Sequence, residues 1–182
     1  MDETERIKIE KELIHALGIL REEVTESLIP REGLELVYAS IKARSPDQVG
    51  YCRYFAGNGN DSVPPEVRFG TENGIVSSIL TAMRFSPDIR SAGSLAYSAG
   101  LEKVCKEMFF EVCACESDTI PPGVSTMDWA VAFFSSQEEG VPDILIIRGN
   151  PEGSSGRIFG DNPVQVATNI IKISKRIIDA TQ

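Results

Sequence analysis

Histidine is almost missing from this chain, with one, His15, in 182 residues. Set within "ERIKIEKELIHALG" it lies on a helix, so neither a zinc site of two or three histidines nor a Ser-His-Asp triad can be assembled. A basic excess is missing as well. Eighteen Lys and Arg stand against 27 Asp and Glu, a formal net charge of -9. That sign excludes unassisted binding to nucleic acid or an anionic membrane, which needs a basic face; a local basic pocket for a small anion stays compatible with it. No apolar run approaches the roughly 20 residues that span a bilayer. The charged, amphipathic N-terminus lacks the basic start and continuous apolar stretch of a signal peptide, and the expected location is cytoplasmic. Cysteine is scarce: Cys52, Cys105, Cys113 and Cys115 are the full set of four, expected as reduced thiols. Cys113 and Cys115 form a C-x-C whose side chains share one face of a strand; two small core residues are a simpler reading than a metal pair. Signature glycine loops are missing too. "GNPEGSSG" lacks the Gly-Lys-Ser/Thr ending of a Walker A loop, and no G-x-G-x-x-G follows a first strand.

What is present is an ordinary globular balance, 42% hydrophobic and 25% charged, in a length that suits one domain over 1–182. Helical spacing of Ile7, Leu13, Ile14, Leu17, Leu20, Val24 and Leu28 predicts one long or two short helices over 5–28. Residues 31–40 read as either helical or extended. A strand follows at about 48–55, then "NGNDS" as a hairpin loop and 63–70 as the returning strand. Residues 73–88 read as a helix stopped at Pro87, "IRSAGSLAYS" as a strand and "AGLEKVCKEM" as a helix. "FFEVCACES" reads as a buried strand. A loop and a helix follow, with Ser125 as N-cap and Asp128 three residues on in a capping-box pattern. "PDILIIRG" and "GRIFG" read as strands. The last helix is capped by Asp161 or Asn162, has Pro163 in its first turn, and carries Lys175 and Arg176 towards its C-terminal end. Alternating strands and helices give an α/β class, and the hairpin implies a mixed sheet.

Five arginines sit at or beside element ends: Arg53, Arg84, Arg90, Arg148 and Arg157. Guanidinium groups suit bidentate phosphate contacts, and together they point to a small phosphorylated ligand. The strand into "RGNPEGSSG" poses a related question, since a glycine-rich loop after a strand can cradle a phosphate on its backbone N–H groups.

The stretch "VRFGTENGIVSSILTAMRFSPDIRSAGSLAYS", with "STMDWAV", "VPDILIIRG", "FGDNPVQVATNI" and the earlier "LIPREGLELVYASIKARSPDQVGYCR", resembles the archaeal-type thiamine-phosphate synthase family, ThiN, across nearly the whole chain. The resemblance implies a three-layer α/β/α fold with a mixed sheet, of the kind shared with class II aldolases. The zinc chemistry of those aldolases is not carried over, for want of histidines. It implies a reaction that joins hydroxymethylpyrimidine diphosphate to thiazole phosphate with release of pyrophosphate. Arg53 matches a catalytic arginine, which would stabilise charge on the leaving group. Gly57, Phe69 and Gly70 match the family's loop and turn, and Arg90 the arginine of "IR-x-A". Gly74 stands where the family has a histidine, and Ser94 where it has an asparagine. In the glycine-rich loop, Gly149 and Gly153 remain, while Ser154 and Ser155 follow where Lys-Glu is usual. The loop's backbone from Gly153 to Gly156 is expected to hold an anion more weakly. A diphosphate ligand can bring Mg²⁺, although no acidic cluster demands a metal, and no cofactor is assigned. The segment of about 30 residues before the matching region is too short for a DNA-binding head, and a homo-oligomer, taken as a homodimer, is the expected assembly. Loss of an acid–base histidine is worth roughly 10²–10⁴-fold in rate. The favoured expectation is therefore a domain that binds thiamine phosphate or its phosphorylated precursors with impaired catalysis. An active synthase and an oligomeric scaffold are the alternatives.

Overall fold

The computed structural model describes residues 1–56, 65–121, 127–137, 140–149 and 154–181. The N-terminal helix α1 spans Glu3–Glu23, capped by Asp2, whose carboxylate accepts the Glu5 N–H at 2.8 Å. Its inward residues Ile9, Leu13, Ala16, Leu17 and Leu20 are buried, at the three- and four-residue steps that keep one stripe on one face. The ambiguous segment resolves as strand β1, Leu34–Ala39, followed by β2, Val49–Tyr54, and β3, Arg68–Phe69. The returning strand, expected over 63–70, is thus only two residues long among the described residues. The "NGNDS" loop lies outside the described residues.

Helix α2 spans Gly74–Phe85, with Asn73 as N-cap, and ends before Pro87 as its missing N–H requires. Strand β4 is Ser91–Ala96, helix α3 Ala99–Glu107 and strand β5 Val112–Glu116. Then come α4, Trp129–Gln137, β6, Ile144–Arg148, β7, Ser155–Gly160, and α5, Pro163–Thr181. Asn162 caps α5, its side chain accepting the Gln165 N–H at 2.9 Å, while Gln165 reaches back to the Asp161 N–H at 2.7 Å. Of the two candidate cap residues, Asn162 is the one that caps.

The seven strands lie in the order β3-β2-β1-β4-β7-β6-β5. Among the described residues only β5 and β6 pair in parallel; the remaining neighbours are antiparallel. The sheet is mixed, as expected. Strand alternation then divides the interior in two. Leu34, Leu36, Tyr38, Cys52 and Leu95 join α1, α3 and α5 in one core. Val37, Ala39, Val49, Tyr51, Ala92, Leu145 and Phe159 join α2 and α4 in the other. This is a three-layer α/β/α arrangement. One expectation fails at β5. It is an edge strand in which only Cys113 is buried, because a neighbour exists on one side alone. Phe109, just before it, is 95% exposed with a left-handed backbone.

Candidate functional site

The sheet face beneath α2 and α4 carries apolar residues over most of its area, but one row across it is polar. Arg53 on β2 pairs in register with Glu35 on β1. The Glu35 backbone N–H donates to Ser94 Oγ on β4 at 2.8 Å, and Ser94 faces Arg157 on β7. Four strands thus contribute one side chain each. Glu35 was missed in the sequence; the one signal that could have found it is a single acid in the otherwise apolar "LELVYA", since an acid at a buried-strand position needs partners.

Glu35 has those partners. Its Oε2 accepts from the Tyr51 hydroxyl at 2.7 Å and from Asn73 Nδ2 at 3.1 Å, and Arg53 Nη2 lies 3.6 Å away. Arg53 Nε donates to the Tyr51 oxygen at 2.9 Å. Burial, followed by the hydrogen bond to Glu35 and its charge, pushes the Tyr51 hydroxyl up to about 12. The Arg53 side chain remains 40% exposed, so it is oriented on its inner edge and open to solvent on its outer one. Gly33 makes this orientation possible. Its φ is +96°, and a Cβ there would stand 2.6 Å from Arg53 Cγ.

The other end of the row is more enclosed. Arg157 Nη1 donates to Asp128 Oδ2 and to Ser78 Oγ, with only 18% of the Arg157 side chain and 11% of Asp128 exposed. Ser78 Oγ lies 2.7 Å from Asp128 Oδ2 and 2.9 Å from the Gly74 carbonyl, with one proton to give. Asp128 is itself the N-cap of α4, accepting the Val131 N–H at 3.2 Å, where its charge suits the helix dipole. This corrects the expected cap. Asp128 occupies the capping position instead of the third helical one, and Ser125 lies outside the described residues. Gly74 opens α2, and a Cβ there would meet Arg157 Nη2 at 3.2 Å. A guanidinium thus stands beside the position where the resemblance places an imidazole.

The remaining predicted residues are dispersed. Arg90 is held at the far end of β4, where its Nε donates to the Ala39 carbonyl at 3.0 Å, its guanidinium lies over Tyr38, and Glu5 is 3.8 Å away. Tyr38 and Glu5 lie on the α1 side of the sheet, so the structure does not bring Arg90 to Arg53. Phe69 also faces α1, with Arg6 4.5 Å above its ring. Gly70 serves a turn, with φ +83° and its N–H donating to the Pro46 carbonyl at 3.0 Å. Arg148 points towards α3, pairing with Glu102 and Glu116. At the glycine-rich loop, the Gly149 N–H is taken by Ser154 Oγ at 3.1 Å. Ser155 and Gly156 belong to β7, with Gly156 opposite Leu95 and Ile146. The expectation of an anion-holding backbone as far as Gly156 therefore fails at that residue, whose backbone lies in the sheet ladder. Gly57 and Gly153 lie outside the described residues.

Cys113 and Cys115 do share a strand face, one buried and one half-buried. Among the described residues no group of three or more His, Cys, Asp or Glu is arranged to hold a metal ion. No helix of the described residues is long and apolar enough to cross a membrane. His15 is exposed on α1, across the sheet from the polar row. The row therefore offers two fixed cations, two carboxylates already engaged with them, an amide and a phenol that stays protonated at neutral pH. Such a set has the chemistry to pair with anions and polar heterocycles; among the described residues it includes no imidazole to take up and release a proton near pH 7.

The sequence model of one family, Thiamine-phosphate synthase ThiN, matches residues 12–172. Over 112 residues, 60% of this chain, the sequence is 34% identical to the Bifunctional thiamine biosynthesis protein ThiDN of Methanocaldococcus jannaschii, and the match covers 26% of that protein. The crystal structure of the C-terminal domain of protein MJ0236 superposes with a TM-score of 0.82 at 26% identity, covering 96% of this chain and 98% of that one. The L-fuculose-1-phosphate aldolase of Thermus thermophilus superposes with a TM-score of 0.52 over 97% of this chain and 96% of its own, at 8% identity. That last likeness is one of fold alone, and it bears out the class II aldolase-like architecture.

Proposed function

This chain belongs to the thiamine-phosphate synthase ThiN family, and from that premise we propose that it binds thiamine phosphate or its phosphorylated pyrimidine and thiazole precursors along the polar row, with synthase catalysis impaired. The observation that carries the reading is the pairing of Gly74 with Arg157. A group able to exchange protons near neutrality is replaced in that space by a fixed cation, which favours holding a phosphate over turning it over. Arg53, oriented by Tyr51 and Glu35 yet solvent-open, supplies the second cation. Asn73 and Glu35 offer a donor and an acceptor suited to an aminopyrimidine edge.

Pyrophosphate release from hydroxymethylpyrimidine diphosphate and thiazole phosphate tests this, together with thermal shifts on adding thiamine phosphate. The expected result is a melting-temperature rise that Arg53→Ala abolishes, without turnover. Retention of Arg53 favours a second reading, an active synthase. Pyrophosphate release abolished by Arg53→Ala would establish it and overturn the first. Absence of any shift with thiamine phosphate and both precursors would leave the scaffold reading.

A further inference from the structure

The two edges of the sheet are built differently. β3 is two residues long and carries Arg68 beside Glu66 at 3.0 Å; shortness and charge are the usual protection of an edge. β5, at the other edge, runs for five residues as "VCACE", with no Lys, Pro or Gly among them. The Ile144 N–H donates to the Glu111 carbonyl at 3.0 Å, and β5 runs parallel to β6 with Val112 beside Ile144. In such a ladder alternate residues bond to one neighbour. Glu111, Cys113 and Cys115 therefore turn their backbone groups to β6, while Val112, Ala114 and Glu116 turn theirs to the open side. Among the described residues no strand meets them there. The Glu116 carbonyl accepts the Thr119 hydroxyl at 2.7 Å and has a second lone pair left.

The helices beside this edge also leave aromatic surface uncovered. Phe109, between α3 and β5, is held at φ +64° and stands almost wholly in solvent. It occupies the left-handed position that closes α3, where glycine is usual, and the next residue, Phe110, donates its N–H to the Cys105 carbonyl at 3.1 Å. Neither that turn nor the core calls for an aromatic ring there. On the other face, α4 ("WAVAFFSSQ") carries no charged residue and leaves Phe133, stacked on Trp129 at 5.0 Å, 41% exposed. A helix apolar all round is ordinarily covered.

We propose that β5 pairs antiparallel with β5 of a second copy of this chain, about a two-fold axis through Ala114, joining the two sheets into one. This register pairs all five residues: Ala114 with the second copy's Ala114, Val112 with its Glu116, and Cys113 with its Cys115. It also suits the charges. Glu116 meets Val112 and Glu111 meets Ser117, so no carboxylate opposes another across the contact, in a chain whose net charge of -9 otherwise sets copies apart. Phe109 then lies beside the segment that follows the second copy's β5. Cys113 and the second copy's Cys115 form a pair without backbone bonds, with Cα atoms about 4.5 Å apart on one face of the joined sheet. That separation lies within the span of a disulfide, about 4.4–6.8 Å. The C-x-C spacing is thus complementary to itself. β5 contributes nothing to the polar row, which draws on β1, β2, β4 and β7, so this surface is independent of the reading given there.

Sedimentation equilibrium of the full chain should show a monomer–dimer equilibrium. Ala114→Pro removes one outward N–H from each copy and leaves the β5–β6 ladder intact. It should weaken dimerisation about tenfold or more, with the circular dichroism spectrum unchanged. Phe109→Gly, at a φ that glycine adopts readily, should weaken dimerisation without lowering the melting temperature. Cys113→Ser and Cys115→Ser test the register, with Cys52 and Cys105 left in place in the α1–α3–α5 core. The oxidant is diamide, which takes up the two thiol hydrogens as the sulfurs join. Neither variant alone should give a disulfide-linked dimer on a non-reducing gel, because each then sets a cysteine opposite a serine. A mixture of the two should. A monomer at every concentration, or dimerisation unaltered by both Ala114→Pro and Phe109→Gly, overturns the proposal. So does crosslinking by either cysteine variant alone, or a mixture that fails to crosslink.

Discussion

Replacing Asp128 by Asn removes a charge from the Arg157 pair while keeping an oxygen where the α4 cap needs one. The pair is largely buried, and Asp128 Oδ1 accepts the Val131 N–H separately from the Oδ2 that meets Arg157 and Ser78. A charge-assisted hydrogen bond of this kind is worth about 1.5–3 kcal/mol net, while leaving a buried charge unpaired costs more, about 3–5 kcal/mol. Asn still offers Arg157 a neutral acceptor, so Asp128→Asn should destabilise by about 2 kcal/mol. Asp128→Ala removes the cap as well and should cost about 1 kcal/mol more. For a chain of this size the first change corresponds to a fall in melting temperature of about 4–8 °C. Urea denaturation and thermal melting followed by circular dichroism read both. In a cycle with Arg157→Met, the double variant should be more stable than the sum of the singles implies. An Asp128→Asn chain within about 0.5 kcal/mol of the parent, or one as unstable as Asp128→Ala, would refute the separation of pairing from capping.

Gly33→Ala forces a Cβ into Arg53 at a positive φ and should cost about 1–2 kcal/mol in urea denaturation, with a smaller ligand-induced thermal shift; Gly18→Ala, on α1 with nothing within 4 Å, should instead stabilise by about 0.5–1 kcal/mol. The Tyr51 hydroxyl, near 12 in the folded protein, titrates near 10 when unfolded. The folded state then holds the extra proton between these values, so the Tyr51 contribution to stability is intact below about pH 10 and is lost as pH rises through about 12. Absorbance titration at alkaline pH should show this step, and Tyr51→Phe should remove it. Burial pushes the Cys52 and Cys105 thiols up to about 12, so a disulfide-exchange reagent should reach the half-buried Cys115 first, and all four thiols only on unfolding.

Periodicity carried most of the fold. The 3.6-residue spacing of α1 and α2 and the caps at Asn73 and Asn162 follow from local chemistry. The segment 31–40 stayed ambiguous because "LELVYA" is apolar at almost every position, which a doubly covered strand and a buried helix share. The burial of β5 was overestimated because edge position is a property of the whole sheet, absent from "VCACE" itself. At the site, Arg53 was legible through resemblance and strand-end position. Glu35, Tyr51 and Asp128 were not, because only the pairing of β1 with β2 and the docking of α4 on α2 and β7 bring Glu35 to Tyr51, and Asp128 to Ser78 and Arg157, across 16, 50 and 29 positions. Arg90 and Arg148 shared with Arg53 a place at a strand end, but Arg90 lies just outside β4 and is drawn towards α1 by Tyr38 and Glu5, while alternation along β6 turns Arg148 towards Glu102 of α3.

The seven-stranded sheet is also a partition. Each side of it has its own interior, and the polar row interrupts only the one shared with α2 and α4. Exchanging one polar group for another along that row changes the chemistry of that face while the α1–α3–α5 interior keeps its packing. A protein built this way can alter the polar chemistry of one face without solving its folding problem a second time.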